Sequence, residues 1–187
     1  MCRRYIEIIR TATLGPRDVG HVGWASDQDG AVPDPDPDLD RETVDHIAIT
    51  RLQAAYADLV NRRAWDELDR LFLPDAPITI DTVTRPVLEL TGPAEFAAFV
   101  GPAVERFEFF EFVVLTSHVT IGGDDASARL WMCEQRQDAA NGQFSTAYGL
   151  YRDDYRRTDA GWRFARRRYR SLARTGRNEA FGLPDDL

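Results

Sequence analysis

From Thr43 onward the apolar positions follow first a helical and then an alternating period. Ile47, Leu52, Ala55, Tyr56, Leu59 and Val60 recur at three- and four-residue spacing, on one helix face. Asp40 or Thr43 can cap the start, and Asn61-Arg62-Arg63 closes the helix. Trp65, Leu68, Leu71 and Phe72 form the stripe of a short second helix that Pro74 stops. Ile78–Val83 alternates and is rich in β-branched residues, which predicts a strand. A turn at Arg85-Pro86 leads to a second short strand, Val87–Leu90. Thr91-Gly92-Pro93 opens a third helix, because proline at the first helical position gives up an N–H that would be unpaired there anyway. Phe96, Phe99 and Val100 are its buried side, and Gly101-Pro102 is expected to break or kink it.

The remainder reads as four long strands, Phe109–Ile121, Ala126–Gln137, Gln143–Arg157 and Trp162–Leu172. They are separated by turn sequences at Gly122-Gly123-Asp124-Asp125, Asn141-Gly142 and Asp159-Ala160-Gly161. The order α-α-β-β-α-β-β-β-β predicts an α+β chain whose antiparallel sheet curls over three helices to bury them. Pro33-Asp34-Pro35-Asp36-Pro37-Asp38 removes backbone donors and repels itself, so residues 1–42 are expected to be a disordered tail with an extended linker. The folded domain is then 43–175, and 176–187 a C-terminal tail.

Composition narrows the function classes. The 187 residues are 43% hydrophobic and 11% aromatic, enough for a core, which excludes a wholly disordered, collagen-like or coiled-coil chain. The net charge of -8 argues against nucleic-acid binding. Cys2 and Cys133 make no disulfide framework, and with three scattered histidines they give no metal-ligand spacing. Glu7 and Arg10 interrupt the N-terminal apolar run too early for a signal peptide, and no run approaches a membrane helix. The expectation is a cytoplasmic protein with no cofactor, no metal and no membrane partner.

Several spacings go further. They are Tyr56-x-x-x-x-Asn61-x-x-x-Trp65-Asp66, Phe72-x-x-Asp75-Ala76, Gly92-x-x-x-Phe96, His118-x-x-x-x-Gly123-Asp124-x-Ala126, Tyr151-x-Asp153-x-Tyr155-x-Arg157 and Gly161-Trp162-x-Phe164. Together they resemble the SnoaL-like branch of the nuclear transport factor 2-like superfamily over about residues 44–172. The resemblance implies a conical, cystatin-like α+β half-barrel, commonly a homodimer through the outer sheet face, with a hydrophobic small-molecule ligand in its mouth. Its members include polyketide cyclases, ketosteroid isomerases, dehydratases, epoxide hydrolases, small subunits of ring-hydroxylating dioxygenases and plain binding proteins. The implied function is a dehydratase, isomerase or cyclase using general acid–base chemistry on a cyclic or polyketide-like substrate. The alternatives are a non-catalytic ligand-binding or dimerisation module, or an oxygenase small subunit.

The candidate catalytic residues are Tyr56, Asp81 and His118. Relatives place a tyrosine where Tyr56 stands, and a phenol is a hydrogen-bond donor at neutral pH; a core tyrosine is the competing reading. His118 shares its residue parity with Phe112, Val114, Thr116 and Thr120, and imidazole suits proton transfer at neutral pH. It could equally sit on the rim or at a dimer surface. Asp81 lies among β-branched residues where burial would raise its basicity, or on the solvent side of its strand. Trp65, Phe112, Trp131, Glu134 and Tyr148 are the candidate substrate contacts, with Glu134 also expected to pair with Arg136 or Arg152. Asn61 stands where the SnoaL-like pattern usually has aspartate. Asp153, Arg157 and the arginines 163–170 are expected to form cross-strand ion pairs.

Overall fold

A computed structural model describes residues 37–184, with side chains from Arg41 on. Residues 1–36 of the tail predicted over 1–42 lie outside the described residues. Helix α1, Pro37–Arg62, begins six residues before Thr43, inside the segment read as an extended linker. Pro37 opens it, in the first turn where a missing N–H costs no intrahelical hydrogen bond. A 3-10 helix follows at Trp65–Arg70. Strands β1, Pro77–Asp81, and β2, Leu88–Thr91, lead to α2, Gly92–Glu105. Pro93 opens α2 and Glu95 accepts a hydrogen bond from the Thr91 N–H at 2.7 Å. The helix does not end at Gly101-Pro102 but continues to Glu105.

Four long strands complete the chain: β3, Phe107–Gly122; β4, Asp125–Asp138; β5, Phe144–Thr158; β6, Gly161–Arg174. A short β7, Glu179–Ala180, pairs with β6, so part of the segment read as a C-terminal tail belongs to the sheet. The sheet order is β2-β1-β6-β5-β4-β3. The element order and α+β class are as predicted, but the sheet is mixed, because β1 runs parallel to β6. Its direction is set before the strand starts: Leu73 N–H donates to Phe164 O and Phe164 N–H to Leu71 O, at 2.9 and 2.8 Å. The chain leaving the 3-10 helix is thereby already docked on β6. Extra residues in β3 and β6 shift the register and bend the long strands, leaving the sheet curved and unclosed.

Tyr56 stands at the centre of the core. Its ring meets Phe72, Phe112, Tyr151 and Phe164 edge-on and stacks with Phe96, with centroids 5.4–6.4 Å apart. Burying each such side chain is worth ~1.5–3 kcal/mol, so this cluster fixes the helices on the sheet. At the narrow end, Asp45 of α1 accepts hydrogen bonds from Arg157 and from Trp162 Nε1. Those bonds hold its carboxyl below the ordinary range, the Arg157 hydrogen bond contributing most.

Candidate functional site

A cavity of ≈ 300 Å³ opens at the other end, between α2 and the concave face of the sheet. Its apolar wall includes Val60, Ile80, Phe96, Phe99, Phe110 and Phe112. Its polar groups are the phenols of Tyr56, Tyr151 and Tyr169, the Glu134–Arg136 pair, and further arginines.

The face each residue takes follows from register. On β4 the even residues point inward, so Glu134 and Arg136 join the cavity while Met132 and Leu130 continue the core. They stand opposite Phe112 and Phe110 of β3. Glu134 is paired with Arg136 as expected, and both are mostly enclosed. Tyr151 and Tyr169 are cross-strand partners on β5 and β6, with rings 5.2 Å apart. Burial is the main cause raising all three phenols: Tyr56 up, Tyr151 well above the ordinary value, and Tyr169 to about 12. All three therefore keep their protons at neutral pH and serve as donors. The Arg167 charge opposes this rise at Tyr56 and Tyr151, and the Glu134 charge adds to it at all three.

Beneath Tyr56 and Tyr151 lies an ion pair with both side chains 0% exposed, Asp153 with Arg167. Arg167 Nε donates to Asp153 Oδ1 at 2.9 Å and Nη2 to Oδ2 at 2.8 Å. Tyr155 donates its hydroxyl to the same carboxylate at 3.2 Å and accepts from Gln53 Nε2 at 2.9 Å. The guanidinium carbon lies 4.0, 4.2 and 4.3 Å from the ring centres of Tyr56, Tyr151 and Phe164. A buried cation against the phenol faces strengthens those hydroxyls as donors. The pair is the cross-strand type expected, but it sits inside the fold rather than in a surface ladder.

The other two catalytic candidates lie elsewhere. A bulge between Val114 and Thr116 inserts one residue into β3. It inverts the parity, so Val119 and Ile121 pack on the core and His118 is exposed on the outer face. There His118 starts a cross-strand row with Arg129, Arg152 and Arg168. Asp81 is not in the cavity wall either. It pairs with Arg170 and accepts from Val83 N–H at 2.7 Å. Val83 has φ 66, a costly value for a β-branched residue, and Asp81 holds that turn.

Among the substrate contacts expected, Phe112 and Glu134 line the cavity. Trp65 packs instead on α2, 3.4 Å from where a Cβ on Gly101 would lie, and Trp131 and Tyr148 are on the outer face. Asn61 makes a two-point clasp on the β3 edge, donating to Phe112 O at 3.1 Å and accepting from Phe112 N–H at 2.6 Å. An ionised aspartate could accept but not donate, so the asparagine is explained by how it positions Phe112. Among the described residues no group of three or more His, Cys, Asp or Glu is placed to hold a metal, and no helix is long and apolar enough to cross a membrane.

Comparison with known proteins agrees with this fold. A family model described as a SnoaL-like domain matches residues 41–168. An uncharacterized protein of Mycobacterium tuberculosis is 30% identical over 128 residues, covering 67% of this chain and 84% of its own length. A solved NTF2-like protein with a cystatin-like fold from Novosphingobium aromaticivorans has a TM-score of 0.60 at 26% identity, over 73% of this chain and 87% of that one. Two less identical structures share the fold. One is a scytalone dehydratase-like protein of Novosphingobium aromaticivorans, TM-score 0.66, 19% identity, 78% and 93% coverage. The other is a hexachlorocyclohexane dehydrochlorinase of Novosphingobium barchaimii, TM-score 0.63, 20% identity, 79% and 99% coverage.

Proposed function

The chain belongs to the SnoaL-like domain family, and from that premise we propose that it is a small-molecule lyase or isomerase working by acid–base chemistry of its own side chains. One observation carries the reading: Glu134 is the single carboxylate among the described residues that line the cavity, which it shares with three protonated phenols. Glu134 takes a proton from an acidic C–H of a cyclic substrate. The electron pair left behind moves toward a carbonyl oxygen, or expels a hydroxyl or chloride from the neighbouring carbon. Tyr56 and Tyr151 donate to the oxygen that gains charge, and the apolar wall keeps competing water away.

A panel of cyclic ketones, β-hydroxyketones and chlorinated cyclohexanes in deuterated water tests this by NMR. Deuterium incorporation or elimination should appear for at least one compound and fall by ~10²–10⁴ in Glu134→Gln. Exposure of the protein to the panel with binding but no turnover would support a second reading, a non-catalytic ligand-binding module. What favours that reading is the placement of His118 and Asp81 outside the cavity, with Glu134 held by Arg136. The homodimer remains part of the proposal. Leu115, Phe144 and Tyr148 are exposed beside Trp131 on the outer face, a surface a second copy would cover. Light scattering should give twice the chain mass.

A further inference from the structure

The charge of the cavity runs against the charge of the chain. All 23 basic residues are arginine and acidic residues number 31, yet the cavity wall holds five arginines and one carboxylate. The five are Arg85, Arg106, Arg136, Arg174 and Arg177, against Glu134. Arg136 gives Glu134 one edge of its guanidinium, and its Nε is enclosed without an acceptor among the described residues. Arg106 lies 4.6 Å from the Phe107 ring centre. Arg174 donates to Thr82 O at 2.8 Å, which ties the β1–β2 turn to the sheet, and its Nη1 pairs with Glu179 Oε2 at 3.5 Å beside the rim. With Arg136 and Arg174 matched by Glu134 and Glu179, Arg85, Arg106 and Arg177 still leave the wall net positive, which rewards an anion that enters. Guanidinium forks match a carboxylate with two parallel hydrogen bonds.

We propose that the ligand of this cavity is an apolar ring compound bearing one carboxylate, with the ring among Phe96, Phe110 and Phe112 and the anion on the arginine wall. The inference rests on the cavity being the ligand site, as argued above. A substrate carboxylate would also compete with Glu134 for Arg136 and so release Glu134 to act as a base.

Calorimetry with 2-naphthoate and its neutral isostere 2-naphthamide tests it on the full chain. The acid should bind about tenfold or more tighter than the amide, the value of one charge-assisted contact. Raising the salt concentration should shrink that advantage. The exposed-rim double variant R106Q/R177Q should lose most of it while naphthamide affinity stays put, and R174Q should act in the same direction. Equal affinity for the two probes would overturn the anion assignment and leave the cavity reading standing. Failure of both probes to bind would overturn both. A naphthoate preference unchanged in R106Q/R177Q and R174Q would place the anion elsewhere and also overturn the assignment.

Discussion

Replacing Arg167 by methionine removes one half of an ion pair that no water reaches. Both side chains are 0% exposed, and the pair makes two hydrogen bonds of 2.9 and 2.8 Å. Arg167→Met keeps apolar volume against Tyr56, Tyr151 and Phe164 but leaves Asp153 charged and facing only the Tyr155 hydroxyl. An uncompensated buried charge of this kind costs about 3–5 kcal/mol. That is a large share of the ~5–15 kcal/mol by which a domain of this size is stable. The assay is urea unfolding followed by far-UV circular dichroism, with the slope checked so that the midpoint shift reads as stability. Asp153→Asn, which keeps an acceptor for the guanidinium, should cost less. The double variant Arg167→Met with Asp153→Leu should recover most of the loss, because replacing both charges by apolar groups is often close to neutral. A single Arg167→Met variant within about 1 kcal/mol of the parent, or a double variant no better than the single, would refute the assignment of this pair as the electrostatic centre of the core.

Three further outcomes are expected. Asn61→Asp keeps the acceptor for Phe112 N–H but sets a carboxylate against Phe112 O, and should lower stability by ~1 kcal/mol with weaker ligand binding, read by thermal unfolding and calorimetry. Asp45 has a folded pKa below its unfolded value, so its bonds to Arg157 and Trp162 stabilise the fold above the ordinary carboxylate value of 3.8, and that contribution is lost as pH falls from there through the folded pKa. Urea midpoints measured from pH 6 to pH 3 should therefore drop more steeply in the parent than in Asp45→Asn, and parallel curves would remove Asp45 from the acid limb. Gly149→Ala would put a Cβ 2.3 Å from Tyr169 Cε2, so it should push Tyr169 in the cavity wall and cost ligand affinity by calorimetry, whereas unchanged affinity would show that Tyr169 is not a contact.

The elements were legible in the sequence because their patterns are local. The inward face of Tyr56 was legible because its helical spacing with Leu52 and Val60 fixes that face without knowledge of a partner strand. Glu134 faces the cavity because β4 carries no extra residue along its length, so alternation keeps it with the inward residues from end to end. His118 was misplaced by one bulge: the residue inserted at Leu115 flips every side chain after it, and nothing in Val113-Val114-Leu115-Thr116 announces it. The same effect hid Arg167 among its neighbours, since a shift in β6 near Ala165 turns Arg167 inward and leaves Arg166 and Arg168 out. The parallel docking of β1 on β6, and the arginine wall drawn from α2, β4, β6 and the loops beside them, depend on which segments meet in space. A signal for the buried pair was present, for Asp153 lies between Tyr151 and Tyr155 on one strand face, where a carboxylate must find a cation.

Glu134 and Tyr56 inside the cavity, rather than His118 or Asp81 outside it, are proposed to carry the chemistry. The most direct measurement compares Glu134→Gln, His118→Asn and Asp81→Asn for deuterium incorporation into one turned-over substrate, each variant first shown to be folded. A base at Glu134 predicts a loss of ~10²–10⁴ in Glu134→Gln alone, with the other two within a few-fold of the parent. Full activity in Glu134→Gln together with a comparable collapse in His118→Asn or Asp81→Asn would contradict it.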